Sequence, residues 1–456
     1  MSEIIKPLKK LPGKFRVPGD YNKTIGAIFL AVLSGDECTI TNYSRGRDVF
    51  DLITFFEKQG YQISRNATEI KIYSSAEAGF PECAELEFTG GVLPLTLLAG
   101  MMIGKRIDCT IKYGEEINQD LIDRIISFAG RLGIDLYHDA DGRGIVCRAG
   151  SLSPIECRVN SVLPYLKNLL MMVGLSSDIS VTLREDIVTS GDLEWCLKAF
   201  NSPAGIKEIK SRWVVDPVDP RKKVLEAEAE WKREIQIGRS QKIPGGNVEI
   251  LPDLDSTAAL IELICLKRGT AKIINVHLDD GLQGIIKLLN SAGIEIEREK
   301  GRNEGDNRIS DLIVRGKRPK PRKISGDNAA GMVEQIPFIA LIMARADGKT
   351  IIRDIAEYAT WANSPFVEIS TGLERLGIKA AALEDGLVIE GGKDLDTDKY
   401  GPFLNRSNAL AFYMAALAGK AKTEFEGFEL VRAHYAELLN EIAEASEDQV
   451  MSFIRS

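Results

Sequence analysis

Acid–base, nucleophilic and metal chemistry draw on a short menu of side chains, and this chain is sparing with the most versatile of them. Its three histidines, His138, His277 and His434, lie far apart in sequence. That spacing argues against a histidine-rich metal site and would oblige a Ser-His-Asp arrangement to assemble from distant loops. The seven cysteines (Cys38, Cys83, Cys109, Cys147, Cys157, Cys196, Cys265) are scattered singly, with no C-x-x-C spacing. This is the pattern of reduced thiols in a cytosolic protein, and most sit in apolar segments where Cys packs as a small hydrophobe. Thr89-Gly90-Gly91 does not extend to G-x-G-x-x-G, and no G-x-x-x-x-G-K-[ST] string occurs. The glycine pair reads as a tight turn before a helix, and neither cofactor nor metal is expected. The basic run Lys317–Lys323 has the charge to meet an anion, but reads first as a solvated connector.

The elements that must position any site come from a repeat. A unit of about seventy residues recurs six times, and each copy places a Gly after an apolar helix: Gly35, Gly104, Gly174, Gly269, Gly348 and Gly419. β-Branched strands follow, as in Cys38–Asn42, Ala271–Asn275 and Thr350–Arg353. A second helix then ends at a Gly before another short strand, as at Gly60, Gly133, Gly293 and Gly377. A repeat of this length, mixing helix and strand, excludes helical-hairpin and leucine-rich solenoids. It fits α/β units sharing a core.

The first helices, near 24–33, 93–103, 163–173, 257–266, 336–346 and 405–418, are apolar all round and should be buried on every side. The second helices, such as 48–59, 121–132, 282–292 and 367–376, carry regular charge and should face solvent. The longest gap between repeats holds the charged stretch Lys222–Glu230 and then Pro244-Gly245-Gly246. Two domains of three units are therefore expected: residues 18–240, and residues 1–17 with 241–456. The segment up to Arg16 reads as a strand broken by Leu11-Pro12-Gly13-Lys14, and 297–308 as a polar loop.

Composition excludes more than it selects. With 44% hydrophobic and 27% charged residues, the chain is of ordinary globular type. A net charge of −8 argues against nucleic acid or an anionic membrane as main partner. No run of eighteen apolar residues is present to span a membrane, and the first residues lack a signal-peptide layout. A cytoplasmic protein acting on a small molecule is the expectation; oligomeric state is left open.

The repeat and several local strings resemble the enolpyruvyl transferase family over nearly the whole chain. The strings are Val17-Pro18-Gly19-Asp20, Leu251-Pro252-Asp253-Leu254-Asp255-Ser256-Thr257-Ala258-Ala259, Glu334-Gln335-Ile336-Pro337-Phe338 and Leu373-Glu374-Arg375-Leu376-Gly377. The resemblance implies a two-domain, inside-out α/β barrel fold, three units per domain, with the ligand between the domains and the first strand joined to the second domain. It implies a carboxyvinyl transfer like that of the family's shikimate branch, from phosphoenolpyruvate to a cyclic or sugar acceptor. Asp253 keeps the family's acid at the fourth unit, and Glu334 stands for its catalytic base. Asp20 is also kept, more as a turn and helix-capping residue.

Against that pattern the cations are missing. Tyr21 stands where the family has Lys, although Asn22 matches one branch; Gly26 and Leu95 stand for arginines, and Thr89-Gly90-Gly91-Val92 replaces the string that grips phosphoenolpyruvate. Val162-Leu163-Pro164 replaces the acceptor-binding serines, Trp361–Pro365 an ionic string, and Asn405-Arg406-Ser407 an Asp-His-Arg. No cysteine matches the reactive one of the UDP-sugar branch. Each charge-assisted contact contributes ~1.5–3 kcal/mol, so losing several removes ~5–10 kcal/mol of anion binding. Replacement cations implied by the architecture are Lys23, Arg45, Lys167, Arg184, Arg353 and Arg406, with Arg47 beside Arg45, and with Tyr21, Asn22, Gly91 and Trp361 as further substrate contacts. Each of these charges could equally be a solvated loop residue. Three readings follow: a divergent carboxyvinyl transferase; an enzyme on the same scaffold whose aromatic lining (Tyr21, Tyr165, Tyr358, Trp361) takes a less anionic substrate; or a catalytically silent binding or assembly partner.

Overall fold

The computed structural model describes residues 2–73, 79–80, 84–88, 91–114, 117, 119–148, 150–159, 164–186, 191–208, 211–215, 223–227, 231–304, 307–326, 329, 332–356, 364–397 and 399–446. The chain divides into two compact units, one of residues 22–43 and 48–250, the other of residues 1–21, 44–47 and 251–456.

The unit of residues 22–43 and 48–250 holds three four-stranded sheets of one design. In the first, Gly246–Glu249 runs parallel to Cys38–Thr41, which is antiparallel to Glu69–Tyr73, followed by Gln62–Arg65. The second is Ala84–Glu87, Cys109–Lys112, Gly144–Cys147 and Leu136–His138 in the same sense. The third is Ile155–Val159, Val181–Glu185, Arg233–Ile237 and Gly205–Glu208. The charged stretch at 222–230 contributes the strand Lys223–Ala227, hairpinned with Ser211–Val215.

The other unit repeats the design. Lys323–Ile324, Lys349–Ile352, Gly386–Glu390 and Lys379–Leu383 form one sheet, and Lys14–Arg16, Thr270–His277, Asn307–Arg315 and Glu295–Arg298 another. A three-stranded variant pairs Lys399–Tyr400 with Thr423–Glu426, and that strand with Ser2–Ile5.

The segments that are apolar all round are the helices Tyr21–Ser34, Val92–Gly104, Pro164–Leu175, Leu254–Leu266, Ile336–Met343 and Arg406–Ala418. They are buried nearly end to end, because a helix without a polar face has no side to give to water. The amphipathic set, Arg47–Lys58, Gln119–Arg131, Asp280–Ser291 and Pro365–Arg375, buries one stripe only. A Cβ on Gly100 would lie 2.5 Å from the Leu169 carbonyl oxygen and 2.9 Å from Met172 Cβ. The Val92–Gly104 and Pro164–Leu175 helices therefore meet backbone to backbone there.

Two expectations change. The N-terminal segment is two strands in two different sheets, Ser2–Ile5 and Lys14–Arg16, since Pro12 and Gly13 let the chain turn between them. The polar stretch 297–308 is mostly strand: Glu295–Arg298 and Arg302–Glu304 both pair with Asn307–Arg315. From Glu297 to Asn303 its residues are exposed, with buried Ile296 and Ile309 flanking the stretch, so backbone pairing rather than side-chain alternation makes it strand. Among the described residues no helix is long and apolar enough to cross a membrane.

Candidate functional site

In the unit that contains Asp253, two strings quoted above are brought side by side. Asp20 N–H donates to the Leu251 carbonyl at 2.9 Å, and Asp253 N–H to the Pro18 carbonyl at 2.9 Å. Asp253 is the N-cap of the Leu254–Leu266 helix. Its Oδ2 accepts from Ser256 N–H at 2.9 Å and also from the Ser256 hydroxyl, and this satisfies one of the helix's orphan donors. Asp20, Asp253 and Asp255 are all buried. Burial first, then the charges of Asp20 and Asp255, push the Asp253 carboxyl up to about 8.

Asp255 sits among donors. It accepts from Gln335 Nε2 at 2.8 Å, Ser407 Oγ at 3.0 Å and Tyr435 Oη at 2.8 Å. Three donors satisfy this buried carboxyl. Tyr435 reaches it from a kink in the Phe428–Ser446 helix, where its own φ/ψ is −124°/23°. Burial, followed by Asp255, holds the Tyr435 phenol well above its ordinary range. Next to it, His434 donates from Nδ1 to the Leu430 carbonyl at 2.9 Å, and burial with the Arg406 charge lowers it to about 4. The His434 ring meets Tyr21 edge-on at 5.0 Å, and the Arg406 guanidinium lies 5.5 Å from the Tyr21 ring centre. The arrangement offers at Asp253 a carboxylic acid that keeps its proton near neutral pH, as a proton donor requires.

The remaining candidates of this unit lie elsewhere on it. Glu334 belongs to the 3₁₀ turn Val333–Gln335 and is exposed, whereas its neighbour Gln335 is buried against Asp255. Arg45 binds Glu437, with Nε 3.0 Å and NH2 2.9 Å from Oε1. Arg353 is exposed, with Nε 4.0 Å from an Asp385 oxygen. Trp361 and Tyr358 lie outside the described residues. A separate cavity of about 280 Å³ opens where the Leu254–Leu266, Ile336–Met343 and Arg406–Ala418 helices end, lined in part by Lys267, Arg268, Arg345, Lys420, Asp394 and Asp396. Arg345 and Lys420 both hold Asp394, at 2.9 and 2.7 Å, and the cations suit the negative helix termini.

In the other unit Asn22 and Lys23 both reach Asp192, Asn22 Nδ2 at 3.1 Å and Lys23 Nζ at 2.8 Å. Lys167 is fully buried (0% exposed), as is Glu185, while Glu194 and Arg233 are 3% and 4% exposed. Lys167 Nζ lies 2.8 Å from Glu194 Oε1 and 3.3 Å from Glu185 Oε1. Arg233 NH2 lies 3.1 Å from the same Glu194 oxygen, and its Nε bonds Glu185 Oε2. Two cations and two carboxylates thus balance inside the protein, which is the condition for burying them at all. Glu194 Oε2 has no partner among the described residues. Arg184 is held by Glu234 at 2.7 Å and by Glu156, with its guanidinium 4.6 Å from the Trp231 ring centre. Gly91 is the N-cap of the Val92–Gly104 helix, its carbonyl accepting from Leu95 N–H at 3.2 Å. Tyr165 is half-buried on the Pro164–Leu175 helix.

Sequence reasoning thus found Asp253, Tyr21, Arg406, Asn22, Lys23 and Lys167 near these clusters. It did not single out Asp255, Gln335, Ser407, His434 and Tyr435, or Asp192, Glu194 and Arg233. One usable signal was Lys167, a lone charge in an otherwise apolar helix, which requires a buried partner.

The family model described as EPSP synthase (3-phosphoshikimate 1-carboxyvinyltransferase) matches residues 5–442. Among curated relatives, the 3-phosphoshikimate 1-carboxyvinyltransferase of Oceanobacillus iheyensis is 23% identical over 436 residues, covering 95% of this chain and 96% of its own. That of Syntrophomonas wolfei is 25% identical, covering 95% and 97%. Among solved structures, EPSP synthase from Acinetobacter baumannii superposes with a TM-score of 0.71 at 20% identity, covering 98% of each chain. The enolpyruvyl transferase NikO from Streptomyces tendae gives 0.68 at 16% identity, covering 97% and 96%. The two structural likenesses establish a shared fold, and the match along residues 5–442 establishes descent: the chain belongs to the EPSP synthase family.

Proposed function

We propose that this chain is a divergent enolpyruvyl (carboxyvinyl) transferase whose acceptor is less anionic than a phosphorylated shikimate. The reaction joins an acceptor hydroxyl to C2 of phosphoenolpyruvate. A proton is added at C3, then phosphate leaves as C3 gives a proton back, so that an enol ether and inorganic phosphate result. Asp253, protonated near neutral pH, is the proposed proton donor, and Glu334 the proposed base. Tyr21 and Arg406 are proposed to meet the substrate beside Asp253, with Arg45 and Arg353 as outlying cations of the same unit.

The observation that carries the reduced-charge acceptor is the internal neutralisation of cations. Lys167 and Arg233 are matched by Glu185 and Glu194, Lys23 by Asp192, and Arg184 by Glu156 and Glu234. A phosphate brought to such pairs would have to compete with carboxylates already in place. Lys167 and Arg184 are therefore engaged within the protein's own ion networks. A second reading, an enzyme of another substrate on this scaffold, is favoured by the edge-on contact of Tyr21 with His434 and the Arg406 guanidinium near its ring, an aromatic group that suits a ring better than an anion.

Phosphate release from phosphoenolpyruvate tests this directly. Release is expected with an unphosphorylated cyclic or sugar alcohol as acceptor, and Glu334→Gln should lose turnover while keeping its fold. Release that requires shikimate 3-phosphate would overturn the acceptor assignment. No release with any acceptor, together with no thermal shift by phosphoenolpyruvate, would overturn the transferase and leave the second reading.

A further inference from the structure

The sequence spacing of the cysteines shows no pairing, but the sheet register does. Cys109 opens the strand Cys109–Lys112 and Cys147 closes Gly144–Cys147, and the two stand directly opposite each other. Opposite residues on antiparallel strands point to the same face. In the same ladder Tyr113 N–H donates to the Arg143 carbonyl at 3.1 Å. Stepping back two residues at a time makes Cys109 and Cys147 a hydrogen-bonded pair of the ladder, a class with Cα atoms about 5.5 Å apart. Disulfides span Cα separations of roughly 4.4–6.8 Å, most often about 5.5–6 Å. Both cysteines are free and buried, 4% and 0% exposed.

We propose that Cys109 and Cys147 form a latent disulfide site, closed by exchange with a small-molecule disulfide of the glutathione class. The Cys109 thiolate attacks one sulfur of the small disulfide, forming a mixed disulfide and expelling one small thiolate. The Cys147 thiol then loses its proton and attacks the Cys109 sulfur, expelling the second. Overall, two protein thiols and one small disulfide give one protein disulfide and two small thiols. Cys109 is the attacking member, because the neighbouring Cys147 thiol lowers its own, whereas the Cys109 thiol and burial raise that of Cys147. Burial of both sulfurs makes the exchange depend on transient opening of the sheet, so it is slow in the native protein and accelerates as the sheet is loosened. The closed bond would tie the second sheet across its two central strands and enclose the Gln119–Arg131 helix in a loop.

The test uses the full chain treated with oxidised glutathione, at rest and in mild urea, followed by quench, thiol count and peptide mapping. The expected result is loss of two of the seven thiols, one cross-linked peptide joining Cys109 to Cys147, and a melting temperature raised by several degrees that dithiothreitol reverses. Cys147→Ala should instead stop at glutathione on Cys109. Seven thiols surviving treatment in mild urea would overturn the proposal, as would a cross-link through any other cysteine. The peptide map of the unsubstituted chain decides between these outcomes even if the alanine variant folds poorly.

Discussion

Replacing Asp253 by Asn should stabilise this protein, and by an amount that grows with pH. The carboxyl is buried between Asp20 and Asp255 and titrates near 8 rather than at its ordinary 3.8. Between those two values the native state keeps a proton that the unfolded chain has released, so stability present in acid is lost as pH rises toward about 8 and is flat above. One pKa unit corresponds to about 1.4 kcal/mol, which puts the ceiling of the penalty at pH 7 near ~4 kcal/mol. The Asp253→Asn variant would escape this while its amide oxygen still accepts from Ser256 N–H and Oγ–H, and Asn caps a helix as well as Asp. Because part of the shift comes from the neighbouring charges of Asp20 and Asp255, a gain of ~1–3 kcal/mol at pH 7 is the reasoned value. Urea unfolding of both proteins across the range from pH 5 to pH 9 reads it out. The difference should be small in acid and widen to about pH 8. Parallel curves, or a variant that is weaker at every pH, would show that the carboxyl is ionised and held by partners, and the assignment of Asp253 as proton donor would go with it.

Three further substitutions probe the packing. Glu262 is fully buried in the Leu254–Leu266 helix, neither oxygen has a partner among the described residues, and burial raises it well above the carboxylate range. Glu262→Met should raise stability by ~1–3 kcal/mol, more at higher pH, and a fall in melting temperature would mean that the carboxyl is satisfied. Lys167→Met leaves Arg233 as one cation for the two buried carboxylates Glu185 and Glu194 and should cost ~3–5 kcal/mol; a loss under 1 kcal/mol in urea unfolding would refute the charge balance described. Gly100→Ala drives a methyl into the Leu169 carbonyl and should cost ~1–3 kcal/mol in the same assay, whereas a neutral result would mean that the two helices separate easily.

The fold was legible because its strongest signals are local. Six helices without a polar face, each with a Gly at or near its end and most followed by a β-branched strand, leave little choice of architecture, and the segments read from hydrophobicity match the helices within a few residues. The clusters were less legible, because they join residues that only tertiary structure brings together. Asp255 meets Gln335 80 residues on, Ser407 152 on and Tyr435 180 on. Nothing in the local pattern around Tyr435 marks it as a donor. In the pair Glu334-Gln335 the orientation of a single 3₁₀ turn decides which side chain faces Asp255, and one-residue parity cannot be read from composition. The polar stretch 297–308 misled because backbone pairing makes it strand while its residues, exposed from Glu297 to Asn303, carry no hydrophobic alternation.

The order in which strands pair has a consequence for how the chain is made. Residues 22–250 include every strand of their own three sheets, so that unit can be completed while the ribosome is still at work. The first strands emerging cannot: Lys14–Arg16 awaits Thr270–His277, and Ile4 awaits Glu424, some 420 residues later. At roughly 5–20 residues per second, that is a delay on the order of 20–80 s. During it, two short strands with unpaired backbone are tethered to a folding neighbour. Their brevity and the lysines around them, Lys6, Lys9, Lys10 and Lys14, are the features that keep such edges from pairing with another chain. Biogenesis, as much as the finished structure, places a premium on keeping this N-terminal segment charged.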